Sequence, residues 1–229
     1  MKPGLMGLSI LFLLSGAAVA DHIDLPVKWS QPYDPEGWAW HSDCTSTEIQ
    51  ADDFQCEDAQ PIVAVRWWGV YLGEVDPRDP THKGFHISFH LSTGEHPYSL
   101  PGDLIELYDV VAQESFTGDY HSGNSPIYRY DAYLPAQFDQ WVYSQSPENG
   151  IPGELWIDIC QPSGEWWDWM ESWTYNLDYP AFSSSGHNGP WKSEEYPDLA
   201  FELMTIPEPA TMCLLGAGLV GLALKRKRK

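Results

Sequence analysis

Basic residues are scarce in this chain: 12 Lys and Arg stand against 33 Asp and Glu in 229 residues, a formal net charge of −21. Lys2 and the five terminal cations 225–229 lie at the two ends, which leaves Lys28, Arg66, Arg78, Lys83, Arg129 and Lys192. All 33 acidic residues fall between Asp21 and Glu208, so that stretch carries a balance of −27. Such a surface repels phosphate backbones, and nucleic acid is excluded as a partner. It keeps the domain soluble and attracts cations.

Other absences narrow the chemistry. There is no G-x-S-x-G, no Walker A and no G-x-G-x-x-G, so no nucleophile-elbow or nucleotide-binding motif is present. None of Asn124, Asn149, Asn176 and Asn188 begins an acceptable N-x-S/T sequon. Between residues 21 and 205 no long apolar pattern repeats every 3.6 residues. Neither end holds the roughly 20 apolar residues of a comfortable membrane span.

The ends nevertheless carry ordered signals. Lys2, an apolar stretch over residues 5–14 and the small-x-small triplet Ala18-Val19-Ala20 follow the order of a secretory signal peptide. Signal peptidase is expected to cut after Ala20. At the other end, Pro207 and Pro209 hold Glu208 extended, because proline resists helix and sheet pairing. Residues 211–224 then form a short apolar segment with Leu214, Leu215 and Leu219, and Gly216, Gly218 and Gly221 allow close helix contact. Lys225, Arg226 and Lys227 open the terminal basic cluster, which stays cytoplasmic by the positive-inside rule. Cys213 lies within the apolar run, where a small buried apolar role is expected, with lipidation as the alternative.

This order closely resembles the PEP-CTERM sorting signal of exopolysaccharide-producing bacteria. The resemblance implies an exosortase-type membrane protease as a partner. It implies an exported protein with an inner-membrane-anchored precursor, destined for the cell surface or extracellular matrix. The segment is short for a transmembrane helix, so a transient anchor is expected. The expected organisation is a signal peptide over 1–20, a β-domain over 21–205 and a sorting segment over 206–229.

Within the β-domain, residues 21–56 are rich in Pro, Asp, Ser and Trp and read as an irregular arm. Residues 61–72 are β-branched and aromatic on both faces, the pattern of a central strand. Residues 85–91 alternate cleanly: Phe85, Ile87, Phe89 and Leu91 face one way, His86, Ser88 and His90 the other. Further strands are expected over 103–116, 127–134, 138–143, 153–160 and 199–205, with inward rows at 155, 157, 159 and at 199, 201, 203. Seven to nine strands predict an all-β, antiparallel β-sandwich of jelly-roll type, with a barrel as the alternative. The stretches 51–56, 65–69, 85–90 and 155–159 resemble an uncharacterised β-rich domain of secreted bacterial proteins, which implies fold and location but no chemistry.

Four groups of side chains are candidates for a site. Export permits a disulfide among Cys44, Cys56 and Cys160, with Cys44–Cys56 closing a small loop and Cys56–Cys160 tying distant segments; the pairing stays open. His82, His86 and His90 recur every fourth residue, but on a strand His86 and His90 lie about 13 Å apart at roughly 3.3 Å per residue. Solvated strand-face histidines are therefore expected rather than metal ligands. Asp52, Asp53, Glu57 and Asp58 are candidate ligands for a structural Ca²⁺, weighed against a merely solvated acidic surface; no other cofactor is indicated. Twelve Trp and twelve Tyr are the strongest signal. Read as a strand, Trp167, Trp169, Trp173 and Tyr175 share one face, with Trp166 opposite, and form a candidate platform for sugar rings. Packing in the sandwich core is the competing reading. The expected function is a non-enzymatic adhesion, structural or carbohydrate-binding module associated with extracellular polysaccharide. The alternative is a secreted polysaccharide-active hydrolase or lyase.

Overall fold

The computed structural model describes residues 23–45, 48–72, 83–94, 98–122, 124–146, 150, 153–163, 166–174, 179–193 and 195–207. Ala18, Ala20, His82, Tyr175, Glu208, Pro209 and the whole apolar and basic tail lie outside the described residues. Among the described residues, no helix is long and apolar enough to cross a membrane.

The β-branched, aromatic run expected to be central is central. It forms β4 (Ile62–Tyr71), after β1 (Val27–Gln31), β2 (Ala39–His41) and β3 (Ile49–Gln55). The chain continues through β5 (Gly84–Thr93), β6 (Leu100–Val111), β7 (Gln113–His121) and β8 (Ser125–Phe138). A short helix α1 (Gln140–Ser144) precedes β9 (Glu154–Cys160) and β10 (Trp167–Met170). The last strands are β11 (Ala181–Ser183), β12 (Trp191–Ser193) and β13 (Phe201–Met204).

These strands make two antiparallel sheets. In the first, one edge of β4 pairs with β8 from Ile62 to Val70 and β8 pairs onward with β7. The opposite edge is shared: β13 occupies Ala64–Trp67 and β10 occupies Gly69–Tyr71. β1 extends β13, and β2 extends β10. The second sheet runs β12-β11-β3-β9-β5-β6. The sheets face each other across one core to which Val65, Trp67, Phe85, Ile87, Phe89, Tyr130, Leu155, Ile157, Trp167, Trp169 and Phe201 contribute. An antiparallel β-sandwich results, as the alternation of apolar residues requires.

Three expectations need correction. Residues 21–56 are not an irregular arm, because they supply three strands that extend both sheets. Pro32, Asp34 and Pro35 mark the connection between β1 and β2. Residues 103–116 divide into β6 and β7, and residues 127–138 lie in one strand. Residues 140–144 are helical rather than extended. The double-sided apolar pattern of β4, by contrast, is matched by cover on its outer face, where Trp68, Val70, Ile127, Met170 and Ala200 form a small cluster of their own. On the other sheet, Ile49, Ala51, Trp156, Cys160, Ala181 and Trp191 do the same.

Candidate functional site

The expected aromatic row splits. Trp167 and Trp169 are wholly buried in the inter-sheet core, where Trp169 Nε1 donates to Ala200 O at 2.8 Å. Trp173 is exposed, but it follows the end of β10 and shares no strand face with them. Tyr175 lies outside the described residues. Trp167 and Trp169 cannot serve as a platform, because the row that alternates inward on a sandwich strand meets the opposite sheet. Trp166, on the other side of that alternation, is 66% exposed.

Exposed aromatic surface gathers instead at the border of the first sheet. β2 lies against β10 with Trp40 opposite Trp169 and His41 opposite Asp168. The buried Glu171 fixes this edge: its Oε1 accepts from Trp40 Nε1 at 2.8 Å and its Oε2 from Trp38 N at 2.9 Å. Tyr196 stacks on Trp40 with ring centroids 4.0 Å apart and an interplanar angle of 14°. Its hydroxyl donates to Gln50 Oε1 at 2.8 Å, and Gln50 Nε2 donates to His41 O at 2.9 Å. Trp40, His41, Glu48, Gln50, Phe182 and Tyr196 line an open cleft of about 290 Å³. The Trp166 ring lies 5.1 Å from that of His41, with Asp168 on the face of β2 and β10 opposite Trp40 and Trp169. His41 Nδ1 sits 3.1 Å from Asp168 Oδ1, and this bond raises the imidazole pKa although partial burial opposes it.

The four acidic candidates do not converge on one point. Asp52 and Asp53 are fully buried on opposite faces of β3, whereas Glu57 and Asp58 are exposed. Asp58 pairs with Lys28 Nζ at 2.6 Å. Asp52 accepts backbone bonds from Leu199 N at 2.6 Å and from Asp53 N at 3.0 Å. Burial, with Asp198 and Asp53 nearby, holds its pKa well above the usual carboxylate value.

A polar cluster that sequence reasoning placed in solvent is also buried. β5 turns His86, Ser88 and His90 away from the core, and in register opposite them β9 places Cys160, Asp158 and Trp156. The segment joining β11 to β12 covers this face with His187, and Trp191 meets His90 edge-on at 5.5 Å. Asp158 Oδ2 accepts from His90 Nε2 at 2.7 Å and from the Ser88 hydroxyl, while Oδ1 lies 2.7 Å from His187 Nδ1. Burial alone would raise the Asp158 pKa, but the bonds to His187 and His90 hold it below the usual value. Burial would lower that of His187, and Asp158 raises it. The expectation of solvated histidines thus fails at His90, which is fully buried, and holds in part at His86, which is partly exposed and pairs with Asp109 at 3.1 Å.

This cluster is no nucleophile relay. Ser88 is inaccessible and donates directly to the carboxylate. Each histidine meets both Ser88 and Asp158 through a single ring nitrogen. Activation of a serine needs the imidazole to bridge nucleophile and acid through its two different nitrogens.

The disulfide joins Cys44 to Cys160, a pairing different from the two singled out in the sequence. A bridge between Asp43 and Gln161 and the bond Cys44 N to Gln161 O, 3.1 Å, bring the two segments together. Cys56 is a free, buried thiol, and burial pushes its pKa up to about 12.

The cleft residues Trp40 and Tyr196, and the exposed Trp166, escaped sequence reasoning as site candidates. One signal was available: Trp166 is the odd member of an alternating Trp run, and such a residue faces outward when the run is core. His187 lay 27 positions beyond Cys160 with no periodic link to it. Only the covering segment brings it to Asp158.

A family model described as a domain of unknown function, DUF7901, matches residues 27–204, and the PEP-CTERM protein-sorting motif matches residues 205–229. No curated protein and no solved structure matches the chain. The motif makes the chain an exported protein processed by an exosortase-type membrane protease from a membrane-anchored precursor. The chain belongs to the DUF7901 family of domains of unknown function, joined here to a PEP-CTERM sorting tail.

Proposed function

We propose that the domain is a non-enzymatic module of the cell surface or extracellular matrix that binds polysaccharide through the cleft between Trp40 and Phe182. The observation that carries this reading is the stacked Trp40–Tyr196 pair at the wall of an open cleft. Sugar rings present C–H faces that pack on aromatic rings, and their hydroxyls need convergent donors and acceptors. Glu48, Gln50 and His41 line the same cleft and offer both. Side-chain positions are fixed from below by Glu171 and Asp168, which keeps the ordering cost of binding small. The carboxylates with the most perturbed protonation, Asp52 and Asp158, are fully buried and offer no support to the hydrolase or lyase reading.

A glycan array probed with the chain, with and without Ca²⁺, tests the proposal. Binding is expected to neutral or basic glycans and to weaken at least about tenfold, or about 1.4 kcal/mol, in Tyr196→Ala and Phe182→Ala. Trp173→Ala serves as a control for exposed tryptophan outside the cleft. Absence of any glycan signal, or equal loss in all three variants, rejects the cleft as a sugar site and leaves a structural role.

A further inference from the structure

The disulfide lies against two histidines. Cys44, His86, Cys160 and His187 each offer a ligand atom, and these atoms all lie within 4.8 Å of one another. We propose that these four residues form a Cys₂His₂ site for a tetrahedral divalent ion of the Zn²⁺ class, assembled when the Cys44–Cys160 disulfide is reduced. The inference is independent of the polysaccharide reading, because the cluster lies under the β11–β12 segment and shares no lining residue with the cleft.

Three observations support it. The donor set is right: two thiolates and two imidazoles are the ligands of structural zinc. Spacing is right as well. With Zn–S of about 2.3 Å and Zn–N of about 2.1 Å, a tetrahedron has S–N edges of about 3.6 Å. His187 Nε2 is already 3.7 Å from Cys160 Sγ. The two sulfurs need only separate to a tetrahedral edge of about 3.8 Å after reduction. Lastly, the supporting shell is in place. His187 gives Nδ1 to the buried Asp158 at 2.7 Å, which leaves Nε2 directed toward the sulfur. A carboxylate behind a ligating histidine fixes its tautomer and raises its basicity. His86 likewise pairs with Asp109. Two thiolates and two neutral imidazoles around a divalent cation sum to zero charge, which suits a half-buried site.

The redox step balances with a dithiol as reductant. Cys44 is partly exposed and Cys160 fully buried, so the incoming thiolate attacks Cys44 Sγ and Cys160 leaves as thiolate beside His187. The second thiol of the reductant resolves the mixed disulfide, becoming oxidised to its own disulfide. Two electrons and two protons pass to the cysteine pair, and the metal ion then displaces both protons.

Co²⁺ titration of the full chain in detergent tests this, with Cys56→Ala and Cys213→Ala removing the other thiols. Phosphine-reduced protein is expected to bind one Co²⁺ with tetrahedral d–d absorption and a thiolate-to-cobalt charge-transfer band, both abolished by Zn²⁺. Oxidised protein shows neither. His187→Ala should weaken binding at least tenfold. His86→Gln, whose partner Asp109 is exposed, provides a variant that leaves buried packing intact, and near-UV circular dichroism checks each fold. The proposal is overturned by any of three results: no charge-transfer band in the reduced chain, an unchanged spectrum in both histidine variants, or equal binding by the oxidised form.

Discussion

Trp167 packs its indole on Gly69 so closely that a Cβ there would stand 2.5 Å from Trp167 Cζ2. Gly69 belongs to β4 and Trp167 to β10, and the two meet where β10 takes over one edge of β4 from β13. A bare Cα on the inner face creates the space that a buried tryptophan then fills. Gly69→Ala is therefore expected to cost about 1–3 kcal/mol through overpacking. Urea unfolding followed by tryptophan fluorescence measures it, and a loss under about 0.5 kcal/mol contradicts the contact.

The His187–Asp158 pair predicts a pH profile. His187 is raised above its ordinary 6.5, so its contribution is full below that value and is lost as pH rises through the folded value. Asp158 is lowered from 3.8, so its contribution is present above that value and disappears as pH falls through the folded one. His187→Gln should lower the melting temperature most near pH 5–6, with the difference shrinking toward pH 8. A difference independent of pH between 5 and 8 would show that folding leaves the imidazole pKa unshifted.

Asp52 has the opposite sign. A buried acid with a raised pKa costs stability above its folded value, where the charge must be held away from water. Asp52→Asn keeps an acceptor for Leu199 N and should raise the melting temperature by a few degrees at pH 7.5. That gain is expected to fade toward pH 4, where both side chains are neutral. Destabilisation at pH 7.5 would mean that the ionised form is the one the fold holds.

Processing at the sorting tail is checked directly. Deleting residues 207–229 should shift the protein from the membrane fraction to the soluble one, and membrane retention of the truncated form would refute anchoring. Intact-mass analysis of mature material should lack the terminal Lys-Arg-Lys-Arg-Lys, since exosortase-type processing removes it.

How much of this was legible beforehand follows from the range of the forces. Phe85, Ile87, Phe89 and Leu91 announced β5 because strand alternation is local, and all four are core. The same alternation put His86, Ser88 and His90 on the opposite face but could not say what lies above it. That face is covered by His187 and Trp191, about 100 residues later in the chain. The Trp row failed for a related reason. Alternation shows which tryptophans share a side, not which side meets the other sheet. Residues 21–56 misled because strands of three to seven residues leave too few positions for a period to register.

By itself the sequence determined the class of fold and the route of export, since strand periodicity and terminal signals act through the chain's local order. The tertiary structure alone decided the partner of Cys160, the burial of Asp158 between two histidines and the assembly of Trp40, Tyr196 and Phe182 around one cleft. Each of these joins segments far apart in sequence. Their proximity is set by how two sheets close over a common core, which no local pattern encodes.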